Sequence, residues 1–185
     1  MRRRLTHLCE DLASADILDL QARYVRLFDQ TRSLSLNLYE HVHGESRDRG
    51  QAMVELLKLY SAHGLELEAR ELPDHLPVFV EFLSVLPADQ AGALLGEAAH
   101  VLEALHARLK KRRSPYAAVF EALVAKAAAR ADGEALAALM QEPEDDPDDL
   151  EALDRAWAEE PVTFGPGDAG CPKAAEMLAR MGEKA

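Results

Sequence analysis

Long apolar runs, β-branched residues and cysteine are all scarce in these 185 residues. No stretch approaches the roughly 18 uninterrupted apolar residues that a membrane-spanning helix needs. Met1-Arg2-Arg3-Arg4 leads into Leu5-Thr6-His7-Leu8-Cys9-Glu10 rather than an apolar signal core. A cytoplasmic location without stable membrane insertion is therefore expected. Cys9 and Cys171 are the only cysteines, too few for a disulfide framework or a four-thiolate zinc site, and both are expected to be reduced. Glycine loops of the Walker or Rossmann kind, which cradle phosphates, are absent. Positive charge is also in deficit. Lys and Arg number 21 against 33 Asp and Glu, a net charge of −12 that argues against nucleic acid as a partner.

What is abundant points to helix. Ala (32) and Leu (29) make up a third of the chain while Val, Ile and Thr together number 14, a mix that favours helix over sheet. Hydrophobic residues are 48%, enough for an ordered core, and the length suits one domain spanning 1–185. The expected architecture is an all-α bundle of about seven helices, and no internal repeat is present.

Apolar spacing and capping residues place these helices. The first follows Ser14 and Asp16, with Ile17, Leu20, Tyr24, Leu27 and Phe28 on one face, and ends before Thr31. Ser46 is placed to cap the second, whose stripe is Met53, Leu56, Leu57 and Tyr60 and whose stop is His63-Gly64. A third is expected to open at Asp74, with Pro77 in its first turn and Leu76, Val80, Leu83 and Leu86 facing the core. Pro87 closes it, and Asp89 is expected to cap one long central helix carrying Leu94, Leu95, Ala98, Val101, Leu102, Leu105 and Leu109. That helix ends in Arg108, Lys110, Lys111, Arg112 and Arg113, which suit the negative end of its dipole. Ser114-Pro115 starts a fifth helix, with Val119, Phe120, Leu123 and Val124 on one face and Gly133 interrupting it near its end. Beyond it lie an acidic loop at 142–149, a short helix with Leu150, Leu153 and Trp157, a connector at 161–172, and a last amphipathic turn with Met177, Leu178 and Met181.

Two stretches hold more polar chemistry than capping and packing use. The segment from Leu38 to Gly50 is dense in donors and acceptors, and Arg70 to Leu83 leaves Glu71, His75, Glu81, Phe79 and Phe82 without an assigned role. Together they suggest the polar rim of a binding groove, with Tyr39, Glu40, His41, His43, Glu45, Arg47, Arg49, Leu72, Asp74, His75, Leu76 and Phe79 as the candidate residues. A competing reading takes His41, His43 and Glu45, completed by Asp74 and His75, as the ligands of a helical metal-dependent hydrolase. It is the weaker one, because no His-Glu-x-x-His or other second ligand pair accompanies them. No serine or cysteine has an identifiable base, so no nucleophile is expected, and neither metal nor other cofactor is implied.

The same stretches carry a family resemblance. Glu40 to Leu57 (EHVHGESRDRGQAMVELL) and His63 to Pro87 (HGLELEARELPDHLPVFVEFLSVLP) resemble the nitrate reductase delta-subunit family, the NarJ-type assembly chaperones. Tyr24-x-x-Leu27-Phe28-Asp29, Trp157 to Phe164 and Gly170-Cys171 support the match, which covers nearly the whole chain. The wider group of redox-enzyme maturation proteins includes the TorD and DmsD chaperones. The resemblance implies an all-helical chaperone that binds the apo catalytic alpha subunit of nitrate reductase in the cytoplasm. It implies recognition of that subunit's N-terminal leader-like peptide, competence for molybdenum-cofactor insertion, and delayed membrane attachment. It also implies a monomer or a helix-swapped dimer. Two departures stand out: the family's additional N-terminal helix, with its Tyr-Pro-Asp element, is expected to be missing before Met1, and the tail ending at Ala185 is short. An unperturbed imidazole titrates near 6.5, and two surroundings are open to His41, His43 and His75: Arg47 and Arg49 would oppose the charged ring, whereas Glu40, Glu45 and Asp74 would favour it, the second being the expected one.

Overall fold

In the computed structural model residues 1–44, 46–68, 70–142, 144 and 149 are described. The fold is all-α: among the described residues there are nine α-helices and no β-strand. They are α1 (Arg2–Ser14), α2 (Ile17–Phe28), α3 (Leu38–His43), α4 (Arg47–Ala62), α5 (Leu76–Ser84), α6 (Ala88–Glu97), α7 (Ala99–Lys111), α8 (Ala117–Val124) and α9 (Gly133–Gln141), with a 3₁₀ turn at Arg32–Leu34. They belong to the compact unit Met1–Asp148. The short helix, connector and last turn expected beyond 149 lie outside the described residues.

Helix α7 is the centre of the unit. Val101, Leu102, Leu105 and Leu109 are all but inaccessible to solvent, and α8, α9, α3, α6 and the 3₁₀ turn pack around it. Each such side chain contributes roughly 1.5–3 kcal/mol by leaving water. Phe28, Leu34, Leu56, Tyr60, Leu76, Phe79, Phe82, Leu83 and Phe120 complete the core. Phe79 and Phe82, left without a role by the sequence, are thus core residues.

Several expected boundaries hold. The Asp16 side chain accepts from Leu18 N at 2.8 Å and opens α2, and α4 stops where Gly64 takes φ +74°, a left-handed conformation that glycine adopts freely.

Others move, each for a tertiary reason. The long helix expected from Asp89 to Leu109 is two helices, α6 and α7, separated at Ala98 (φ −90°, ψ 3°). Gly92 and Gly96 on α6 lie against the backbone of residues 126–129: Gly92 O accepts from Ala128 N at 2.8 Å, and a Cβ on Gly96 would stand 3.0 Å from Ala129 N. That contact holds α6 against the segment leaving α8 while α7 runs through the core. Helix α5 starts at Leu76 rather than Asp74, because the Asp74 side chain caps a different helix. Arg108 does not join the exposed basic end of α7. It is 1% exposed and donates from Nη1 to Ser33 O at 2.7 Å and from Nη2 to Leu139 O at 2.5 Å, tying α7 to the 3₁₀ turn and α9. The helix expected to reach Gly133 ends at Val124. Gly133 instead begins α9, where the Asp132 side chain accepts from Ala135 N at 2.8 Å. Helix α1 was not expected at all. Its Leu8 is buried, and Arg4 pairs with Glu121 on α8 at 2.5 Å.

Candidate functional site

The two polar stretches singled out in the sequence are joined by backbone. Leu76 N donates to Leu36 O at 2.8 Å, Leu38 N donates to Asp74 O at 3.1 Å, and Asn37 and His75 form an antiparallel bridge. This join positions α3, a helix too short to persist on propensity alone. Its first free N–H groups are met from outside: Tyr39 N donates to Asp74 Oδ2 at 2.9 Å. Asp74 is fully buried. From the other side Tyr60 donates its hydroxyl to Pro73 O at 2.7 Å, and burial raises the Tyr60 hydroxyl pKa.

The loop before α3 is closed by the candidates themselves. Ser35 Oγ donates to Glu40 Oε2 at 2.6 Å, with Arg32 Nε 3.8 Å from Glu40 Oε1. His41 Nε2–H donates to Ser35 O at 2.8 Å, which assigns the tautomer. Burial pushes the His41 pKa below its ordinary value; the bond to Ser35 opposes this, and the Arg108 charge adds to the lowering. Glu40 and Glu142 do favour the charged ring, as expected of carboxylates, but burial outweighs them and the net shift at His41 is downward. The segment of His41 and His43 is helical rather than extended, so the two rings project about 160° apart around α3. Among the described residues no group of three or more His, Cys, Asp or Glu is placed to hold a metal ion.

Beside this framework opens a groove of about 300 Å³. Helix α3 supplies Leu38, Tyr39 and Val42; α4 supplies Glu55, Leu56 and Leu59; α5 supplies Phe79. The far wall is Leu94, Glu97, Ala98, His100 and Val101 at the α6–α7 break. Most of the lining is apolar, Val42 is 50% exposed, and the charged lining residues are both carboxylates, Glu55 and Glu97. Tyr39 meets His43 edge-on at 5.6 Å between ring centroids, and burial raises the Tyr39 hydroxyl pKa.

Of the sequence candidates, Tyr39 and Phe79 line this groove and His43 backs Tyr39. Glu40, His41 and Asp74 are engaged in holding α3. Leu76 is core, and Leu72 is exposed with its carbonyl accepting from His75 N at 3.0 Å. His75 Nδ1 lies 4.0 Å from Glu71 Oε2. Arg49 is half-buried on α4. Glu45 and the side chain of Arg47 lie outside the described residues. Sequence reasoning missed Val42, Glu55, Leu59, Glu97, Ala98 and His100, which come together only because α4 and the α6–α7 break meet across α3. The signal available was the exposed apolar Val42 between two histidines.

Known proteins resemble this chain over the same region. The nitrate reductase delta subunit family matches residues 1–122. The nitrate reductase molybdenum cofactor assembly chaperone NarJ of Escherichia coli (strain K12) is 49% identical over 161 residues, 87% of this chain and 67% of that protein. The probable assembly chaperone NarW of the same organism is 47% identical over 160 residues, 86% of this chain and 69% of its own length. A probable NarJ of Bacillus subtilis (strain 168) is 30% identical over 125 residues, 68% of each chain.

Proposed function

The chain belongs to the nitrate reductase delta-subunit family, and from that premise we propose that it is an assembly chaperone of nitrate reductase, a binding protein rather than a catalyst. Its relatives are named molybdenum cofactor assembly chaperones. In the proposed reaction cycle it holds the apo catalytic alpha subunit in the cytoplasm through that subunit's N-terminal leader-like peptide. The alpha subunit then stays competent for molybdenum-cofactor insertion before it attaches to the membrane.

The observation that carries this reading is the chemistry of the α3–α7 groove. An amphipathic helical peptide lays its apolar face into an apolar channel. Here Val42, Leu56, Leu59, Phe79, Leu94 and Val101 form such a channel, and Glu55 and Glu97 add negative charge to its lining, which suits the basic residues of a leader. The net charge of −12 speeds encounter with a basic peptide, and ordering the peptide on binding offsets part of the contact free energy, which keeps the complex releasable. The hydrolase reading finds less support, since His41 Nε2 and Asp74 Oδ2 are committed to the loop and to α3.

The test is a titration of a synthetic alpha-subunit leader peptide followed by amide chemical shifts. Shifts should concentrate at Val42, Leu59 and Ala98. Saturable binding that leaves these positions unmoved would sink the groove assignment.

A further inference from the structure

The acidic chain gathers cations at one place away from the leader groove. Helix α1 lies on α8, and between α1 and the C-terminal end of α7 opens a cavity of about 440 Å³. Arg3, Arg4 and His7 line it from one side and Lys110 and Arg113 from the other. Ser114, Pro115, Ala117 and Ala118 complete the lining, none of them a carboxylate. Arg4 is held by Glu121 on α8 at 2.5 Å, which fixes α1 over the cavity. Among the described residues Arg3, Lys110 and Arg113 form no ion pair. Like charges gathered on one surface repel, and an anion between them relieves that cost.

A second observation concerns the backbone. Arg113 has φ +54°, and it is the only described residue other than glycine with positive φ. It ends α7 with Arg113 N donating to Lys110 O at 3.0 Å and Ser114 N to Leu109 O at 2.9 Å, the left-handed stop at which glycine is the usual residue. An arginine here is strained where glycine would be relaxed, and such strain persists where the side chain has a task.

We infer that this cavity is a binding site for an organic diphosphate of the size of a nucleoside diphosphate. Arginine forks pair with phosphate oxygens through two parallel N–H bonds, and Arg3 and Arg113 are available on opposite sides. Pro115, Ala117 and Ala118 leave a small apolar floor for the organic group. The volume falls within the range of small-molecule sites. A long polyanion or an anionic membrane is disfavoured, because it would extend past the basic cluster into the field of a chain of net charge −12.

The experiment uses calorimetric titration of the full chain with pyrophosphate and with ADP at low salt, and sedimentation with anionic phospholipid vesicles. Both small ligands should bind, ADP more tightly. The variant Arg3→Gln, Lys110→Gln, Arg113→Gly should bind at least about tenfold more weakly, as loss of charge-assisted bonds to phosphate requires. Its titration with the leader peptide should be unaltered. Arg113→Gly alone removes the strain together with the charge, so it should unfold at the same or a higher temperature while weakening ADP binding; it serves if the triple variant fails to fold. Absence of binding to both ligands, equal affinity in a folded variant, or capture by vesicles without binding of ADP would each overturn the assignment.

Discussion

The buried side chain of Asp74 accepts the backbone N–H of Tyr39 at 2.9 Å across 35 residues of sequence, so the segment leading into α5 caps α3. Removing the acceptor leaves a helix start without a partner inside the protein. Asp74→Ala should therefore cost roughly 2 kcal/mol, combining a lost cap with a desolvated N–H. Asp74→Asn, which keeps an acceptor, should cost less. Urea denaturation ranks the three proteins, and equal midpoints for parent and Ala variant would refute the cap.

Arg108 makes the second long-range tie, and here charge and geometry act together. Its guanidinium reaches Ser33 O and Leu139 O from a site with 1% exposure, and Glu142 Oε2 is 4.0 Å away. Arg108→Ala strands two carbonyls and opens a cavity, so a loss of about 3–5 kcal/mol is expected. Arg108→Lys retains the charge but cannot span both carbonyls, and should recover only part of it. Thermal unfolding with limited proteolysis at α9 measures both effects; α9 should be cleaved first.

The bundle was legible where one element decides its own limits. Asp16 caps α2, Gly64 stops α4, and the apolar spacing of Leu102, Leu105 and Leu109 marks the buried face of α7. It was illegible where a neighbour decides. Gly92 and Gly96 look like tolerated interruptions of one long helix until residues 126–129 pack against them. Arg108 is indistinguishable by type from the exposed Lys110 until the carbonyls of Ser33 and Leu139 are found beside it. The groove was half legible for the same reason: Tyr39 and Phe79 sit in the conspicuous stretches, while Glu55 and Glu97 lie in helices whose periodicity says nothing about which faces meet.

Stability should fall in mild acid through His41. Its folded-state pKa lies below the unfolded value near 6.5 because burial disfavours the charged ring. The unfolded chain then binds more protons than the folded one in that window, so unfolding free energy rises with pH there and is lost as pH drops below about 6.5. His41→Gln can still donate towards Ser35 O but does not titrate. Urea midpoints at about pH 7.5 and 5.5 should differ less in this variant than in the parent; equal differences would remove His41 as a source of the pH dependence.

The last prediction separates the α3–α7 groove from a second acidic one. Tyr60, Leu65, Leu67, Val78 and Phe82 line a cavity of about 290 Å³ rimmed by Glu66, Glu68 and Glu81, which also offers apolar surface with negative charge. Charge reversal at Glu55 and Glu97 should weaken a basic leader by about tenfold, chiefly through slower association. The same reversal at Glu68 and Glu81 changes net charge equally and should have little effect beyond a salt-screened contribution. Val42→Asp places a charge on a half-exposed groove residue, where the cost to folding should stay within about 0.5 kcal/mol while the apolar contact is lost. Stopped-flow association and calorimetry with one leader peptide compare all three. If the Glu68, Glu81 variant loses binding while the Glu55, Glu97 and Val42 variants keep it, the leader occupies the second groove, and the ties through Asp74 and His41 serve the fold alone.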